Sequence, residues 1–186
     1  MAKPYQALIK GCINQKPAAQ RELYEQFAPS MLAVCYRYAR DRDDAEDILQ
    51  DGFIKVFQKI GNFDDRGSLE GWIRKIMVNT AIDHIRKQKY QQNQTELNEG
   101  ITEVVEADAM DNLELEALYE VIQKLPAGYR LVFNLYAIEG YSHKEIGDEL
   151  GITESTSRSQ YTRARAMLRQ QIQEIYMEKK IYKDAI

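Results

Sequence analysis

Three features of the sequence predict an all-α protein made of two small helical domains. Apolar residues recur every three or four positions almost throughout the chain. Only four prolines interrupt its 186 residues, and no run of β-branched residues suggests a strand. One stretch, Gln91 to Asn112, abandons the periodicity for polar and acidic residues with no Lys or Arg, a composition that buries too little to fold alone. The expected organisation is a helical domain over 1–90, a flexible acidic linker over 91–112, and a second helical domain with a C-terminal tail over 113–186.

Each helix has its own signal. Ala19, Leu23 and Phe27 share a face, with Pro17 in the opening turn, where a missing N–H costs nothing. Pro29 predicts the start of a second helix carrying Met31, Val34, Cys35 and Tyr38 inward. A third begins at Asp43 or Asp44, acids that suit the positive end of a helix dipole, and runs through Ala45, Ile48, Leu49, Phe53, Val56 and Phe57 to Ile60. "GNFDDRGS" is a loop, on its glycines and paired aspartates. Leu69, Trp72, Ile73, Ile76 and Ile85 resume helical spacing to about Lys89. Beyond the linker, Leu115, Leu118, Ile122 and Leu125 define a helix ended by Pro126. Leu131, Val132, Leu135 and Tyr136 define another, closed by Gly140.

The stretch from Ser142 to Gln170 has the outline of a helix-turn-helix. Ser142 with Glu145 makes a capping box. Ile146 and Leu150 face inward, Gly147 lets two helices pack closely, and Gly151 supplies the left-handed turn. Thr153 caps the second helix, whose outer residues include Thr156, Arg158, Ser159, Gln160, Arg163 and Arg165. Arginine forks onto guanine edges or phosphates, and hydroxyls reach either kind of site. Ser157 takes an inward position where such motifs carry Val or Ile. That predicts a looser helix pair and a backbone carbonyl as partner for its hydroxyl. The bland alternative is an arginine-rich solvated helix packed on its neighbours.

The net charge of −4 is unusual for a DNA reader, since cations supply most affinity for phosphate. The charges are segregated, however. No acid lies between Glu154 and Glu174, an interval holding four arginines, whereas Gln91 to Glu120 holds nine acids and no base.

Several function classes find no support. Cys12 and Cys35 stand apart from each other and from His84 and His143, so they read as ordinary reduced thiols, and no metal site is expected. Asp43 and Asp44 belong to a solvated first turn. No glycine loop, catalytic triad or cofactor motif is visible, so neither catalysis nor a cofactor is expected. No eighteen-residue apolar run and no signal-peptide core appear, which predicts a cytoplasmic protein with no membrane insertion of its own.

The front domain carries "DDAEDILQDGFIKVFQKI", with an acidic outer face of Asp43, Asp44, Glu46, Asp47 and Asp51, and "FDDRGSLEGWIRKIMVNTAIDHIRKQK", which is basic. Together with "LPAGYRLVFNLYAIEGYSHKEIGDELGITESTSRSQYTRARAMLR", these motifs resemble the extracytoplasmic-function (ECF, group IV) sigma factors of bacterial RNA polymerase, over roughly residues 18 to 172. The resemblance implies a sigma region 2 bundle and a sigma region 4 helix-turn-helix. The implied partners are core polymerase (the β′ clamp helices and the β flap), promoter DNA, and an anti-sigma factor able to hold the protein at the inner membrane.

By the same resemblance, Asp47, Gln50, Asp51, Phe53 and Lys55 contact polymerase, with Asp51 replacing the family's more usual Glu. The loop Asp64 to Leu69, including Arg66, Ser68 and Leu69, joins Asn79 around a base flipped from the −10 element. Asp83 belongs to this set, and Arg74, Lys75, Arg86 and Lys87 hold phosphates. Thr153, Ser155, Thr156, Arg158, Ser159, Tyr161, Thr162 and Arg163 read the −35 element, with phosphate contacts from Arg165. Gln160 stands where the family often has Arg. Trp72 could stack on a base, though its place in the apolar stripe favours core packing. The alternative function is a stand-alone helix-turn-helix regulator with a dimerising or ligand-binding front domain.

Overall fold

The computed structural model describes residues 5–64, 66–94 and 121–184, and every regular element among them is helical. They fall into two compact units, divided between Glu103 and Val104.

The front unit opens with α1, Gln6–Ile13, which the sequence reading did not anticipate. Gly11 lets it lie against α2, because a side chain there would come within 2.6 Å of Ala19 Cβ. Tyr5 anchors its start, with its ring 5.7 Å from that of Phe27 and its hydroxyl accepting from Gln26 Nε2 at 3.0 Å. α2 is a single helix, Pro17–Tyr36, that runs straight through Pro29. The expected second start at Pro29 is therefore corrected. An interior proline costs about 3 kcal/mol, but Leu23, Phe27, Met31 and Val34 form one buried seam across it. Each buried side chain contributes about 1.5–3 kcal/mol, so continuity wins.

α3, Arg42–Lys59, starts slightly earlier than expected because Asp41 caps it, its Oδ1 accepting from Asp44 N at 2.8 Å. A 3-10 turn, Ile60–Asn62, ends it. α4, Leu69–Gln94, continues four residues into the stretch expected to be linker; the rest of 91–112 lies outside the described residues. α2, α3 and α4 pack on one another around Leu23, Met31, Ile48, Val56, Ile73, Met77 and Ile82. Gly52 sets the closeness of α3 and α4, since any side chain there would collide with Met77 Sδ. Cys12 and Cys35 are free and buried, and burial pushes the Cys35 thiol up to about 12.

In the back unit, the end of helix α5 is described at 121–123, before Pro126. α6, Ala127–Phe133, widens into a π turn, Asn134–Ile138. The wider turn shifts the helical phase, so Asn134 and Leu135 are buried while Tyr136 reaches the surface. α7, His143–Leu150, and α8, Glu154–Asp184, complete the unit. α8 packs on α6 and α7, and Ala164 and Leu168 meet Val121, Ile122 and Leu125 in the core. Buried Arg130 joins α6 to the end of α5, donating to Gln123 O at 3.2 Å and Gln123 Oε1 at 2.6 Å.

Candidate protein and nucleic-acid interfaces

α3 turns one continuous stripe outward. Asp43, Asp47, Gln50, Asp51, Ile54 and Gln58 fall within about a third of the helix circumference, and all are exposed. The expected contacts Asp47, Gln50 and Asp51 lie here. Phe53 does not: it is 3% exposed, with its ring 4.7 Å from Tyr24 and 6.0 Å from Phe57, and belongs to the core. The apolar position on the stripe is Ile54, 55% exposed, which the sequence reading passed over. Its spacing from Asp47 and Asp51 was the available signal.

Asp44 is also corrected. It is 7% exposed, and its carboxylate accepts from Arg40 N at 3.0 Å, His84 Nε2 at 2.6 Å and Gln88 Nε2 at 2.7 Å. Burial pushes the carboxyl up, but the Arg40 N–H, His84 and the Arg40 guanidinium together hold it below the usual carboxylate range. Asp44 therefore ties the start of α3 to α4 instead of adding to the outer acidic face.

α4 carries the second stripe, on which Trp72, Lys75, Asn79, Asp83 and Arg86 align with Lys87 at the edge. Lys75, Asn79, Arg86 and Lys87 are exposed. Trp72 is half-buried, its ring edge-on to Phe63 at 5.7 Å, as core packing requires. Arg74 departs from the expected set: it is half-buried and shares the angular phase of the buried Met77, Val78 and Ala81. Leu69 departs too, since at 3% exposure it anchors α4 in the core. Ser68 Oγ caps α4 by accepting from Gly71 N at 3.0 Å, and exposed Arg66 pairs with Asp64 at 3.2 Å. Asp83 joins two expected sites: Lys55 Nζ lies 3.0 Å from its Oδ2 and Arg86 Nη1 lies 3.7 Å from its Oδ1. Both carboxylate oxygens face cations, so Asp83 offsets their charge.

The helix-turn-helix forms as its residues imply. Ser142 N donates to Glu145 Oε2 at 2.8 Å and Glu145 N to Ser142 Oγ at 3.2 Å, closing the capping box. Gly151 is left-handed at φ 64, and a side chain at Gly147 would meet Ile152 O at 2.8 Å. Thr153 Oγ1 accepts from Thr156 N at 3.0 Å. Ser157, however, is wholly buried, and its partner is not a backbone carbonyl: Ser157 Oγ and His143 Nδ1 share a hydrogen bond at 2.9 Å. The His143 ring stacks on Tyr136 at 4.2 Å. The pair thus fills the expected gap. Burial, followed by the charge of Arg158, holds His143 below its ordinary range. Sequence reasoning missed this role, because it appears only when α7 and α8 cross.

The outer ridge of α8 comprises Ser155, Arg158, Ser159, Thr162, Arg165 and Arg169, all exposed. Arg158 pairs with Glu154, donating to its Oε1 from Nε at 3.1 Å and from Nη2 at 2.5 Å. Thr153 is exposed and Thr156 half-buried at the helix start. Tyr161 lies aside from the ridge, half-buried among Phe133, Tyr136 and His143, with Arg165 5.8 Å over its ring. Arg163 also leans away, its Nη1 donating to Tyr129 OH at 3.4 Å.

Among the described residues, no group of His, Cys, Asp or Glu could hold a metal ion, and no helix is long and apolar enough to cross a membrane.

Known proteins share this arrangement. Residues 23–90 match the family model described as Sigma-70 region 2, and residues 115–168 match Sigma-70, region 4. The chain is 32% identical over 184 residues to the ECF RNA polymerase sigma factor SigW of Bacillus subtilis (strain 168), covering 90% of this chain and 98% of that protein. It is 27% identical to the ECF RNA polymerase sigma-E factor of Haemophilus influenzae, covering 90% of this chain and 95% of that protein. The sigma factor RpoE from Bartonella quintana, solved in complex with the anti-sigma factor NepR, has the same fold. Its TM-score is 0.58 at 23% identity, covering 82% of this chain and 96% of that one. The front unit thus matches sigma region 2, and these relatives lend nothing to the alternative of a dimerising or ligand-binding module. With matches spanning both units and a relative aligned nearly end to end, the chain belongs to the ECF sigma factors.

Proposed function

We propose that this protein is an alternative sigma factor that binds core RNA polymerase and directs initiation by reading −35 and −10 elements and melting the latter. The observation that carries this reading is the separation of two faces in one chain. α3 offers an acidic stripe centred on Ile54, and α8 offers an arginine ridge without acids from Ser155 to Arg169. The first suits a protein partner, since an apolar centre with a charged rim is the usual anatomy of an interface. The second suits nucleic acid.

The residue roles follow. Asp47, Gln50, Asp51 and Ile54 dock on polymerase, with Lys55 at the border. Arg66, Ser68 and Asn79 line the path of the −10 strand, and Lys75, Arg86 and Lys87 hold its phosphates. Extruding a base costs a few kcal/mol, which contacts to the correct base offset. Thr153, Ser155, Thr156, Arg158, Ser159 and Thr162 meet the −35 element, and Arg165 meets phosphate. Residues 1–90 and 113–186 act as the two readers. Past the end of α4 at Gln94, the 18 residues 95–112 reach about 60 Å when extended at about 3.3 Å per residue, which approaches two turns of DNA at about 34 Å each. Polymerase does the chemistry; the chain itself is no enzyme. It works in the cytoplasm, where an anti-sigma factor is the fitting regulator.

Run-off transcription from genomic fragments, with purified core polymerase, tests the proposal. Promoter-dependent transcripts are expected only when both proteins are present. Tight operator binding by the chain alone, with no transcripts in its company, would instead support a stand-alone regulator.

A further inference from the structure

We infer that the DNA-binding ridge of α8 continues past Arg165 to Arg169, which grips a phosphate on the far rim of the −35 major groove. The inference rests on the assignment of α8 to the −35 element.

Position along the helix is the first argument. At about 1.5 Å per residue, Thr162 stands about 10 Å beyond Ser155, Arg165 about 15 Å and Arg169 about 21 Å. A major groove is about 12 Å wide. A helix entering by its N-terminus therefore spends Ser155 to Thr162 inside the groove, where base edges are available. Arg165 and Arg169 emerge where only the sugar-phosphate rim remains.

Direction is the second argument. Arg158, Thr162, Arg165 and Arg169 are exposed and successive on one ridge, whereas Arg163 turns to the Tyr129 hydroxyl. The ridge thus carries three arginines: Arg158, paired with Glu154; Arg165, over the Tyr161 ring; and Arg169 at its far end.

Charge is the third argument. The next ridge position, Gln173, is neutral, and the first acid after Glu154 is Glu174, off the ridge. Along the ridge the positive charge therefore ends at Arg169, the predicted rim contact. Arg169 also lies one residue past the matched region 4 segment, which ends at 168.

The test uses holoenzyme reconstituted from core polymerase and the full chain, bound to promoter duplexes over a salt series. Arg169→Gln should lower affinity by the same factor on native and scrambled −35 sequences. It should also reduce the magnitude of the log affinity against log salt slope by about 0.9, the signature of one lost phosphate contact. A single neutral methylphosphonate, moved along both strands beside the −35 element, should at one position erase the difference between wild type and variant. Arg158→Ala is the reference arm and should relax −35 preference. An unchanged slope for Arg169→Gln, or no methylphosphonate position that closes the gap, overturns the inference and turns Arg169 toward solvent or a protein partner. If wild-type holoenzyme itself ignores the −35 sequence, the assignment of α8 fails first, and that result is distinct.

Discussion

The front and back units each hold a helix still so that one face can meet a partner, but they use different chemistry. In the front unit the fixing contacts are turned away from the outer stripes. Gly52 against Met77 sets the spacing of α3 and α4, and the Asp44 cluster of Arg40, His84 and Gln88 ties the start of α3 to α4. In the back unit the fixing contact lies directly beneath the reader. Ser157, bonded to His143, neighbours Arg158, and the His143 ring is framed by Tyr136 and Tyr161. Scaffold and interface are separable in the front and merged in the back. Substitutions in α3 should therefore divide into those that unfold and those that unbind, while substitutions under α8 should do both.

The largest expected effect is the division within α3. Phe53→Ala should cost about 3–5 kcal/mol of stability by emptying a core position, read by urea unfolding. Ile54→Ala, its sequence neighbour, should leave unfolding within about 0.5 kcal/mol and weaken binding to core polymerase by about 1–2 kcal/mol. Equal unfolding curves for the two variants would erase the division.

Next comes the buried carboxylate. Asp44→Ala should cost about 1–3 kcal/mol, because the Arg40 N–H, His84 and Gln88 lose their buried acceptor, whereas exposed Asp43→Ala should cost little. The pH dependence separates the two units. Asp44 has a folded pKa below its unfolded value of 3.8, so its contribution is present above that value and is lost as pH falls through the folded pKa. His143 also sits below its reference value, 6.5. The unfolded state takes up the proton first, so back-unit stability should begin to fall as pH drops below about 6.5 and the front unit only below about 4. Hydrogen exchange followed by unit would register the order, and a front unit that loosens first would reverse it.

A smaller effect probes the merged design. Ser157→Ala should cost about 1–2 kcal/mol by leaving buried His143 Nδ1 without its bond. Discrimination between −35 sequences should shrink in the same variant, although Ser157 touches no DNA. Full −35 discrimination in a destabilised Ser157→Ala protein would show that the back unit, too, keeps scaffold and reader apart.

The smallest effect concerns Asp83. Asp83→Asn should change stability by less than about 1 kcal/mol, since the pairs it makes are at the surface. Freed from the carboxylate, Lys55 and Arg86 should bind single-stranded DNA more tightly and with a steeper salt dependence, by about 0.7 for each cation that engages a phosphate. Weaker binding would mean instead that Asp83 aims the cations.

Periodicity, caps and turns were local, and the sequence by itself determined them. The helical class, the capping box of Ser142 and Glu145, the left-handed Gly151 and the acid-free interval of α8 depend on residues within a few positions of one another, so the chain spells them directly. Which of the residues bordering a helix's inner face are buried depends on what arrives from elsewhere, and only the tertiary structure decided it. Pro29 reads as a boundary until the seam from Leu23 to Val34 meets its partners. Asp44 reads as solvated until α4 brings His84 and Gln88, forty and forty-four residues away in sequence. Phe53 and Ile54 are both apolar and adjacent, and only the packing of Tyr24 on one of them leaves the other free. Ser157 looks like a flaw until His143 reaches it across the turn. Burial and long-range hydrogen bonding depend on the whole chain's folded arrangement, which spacing along the chain leaves open.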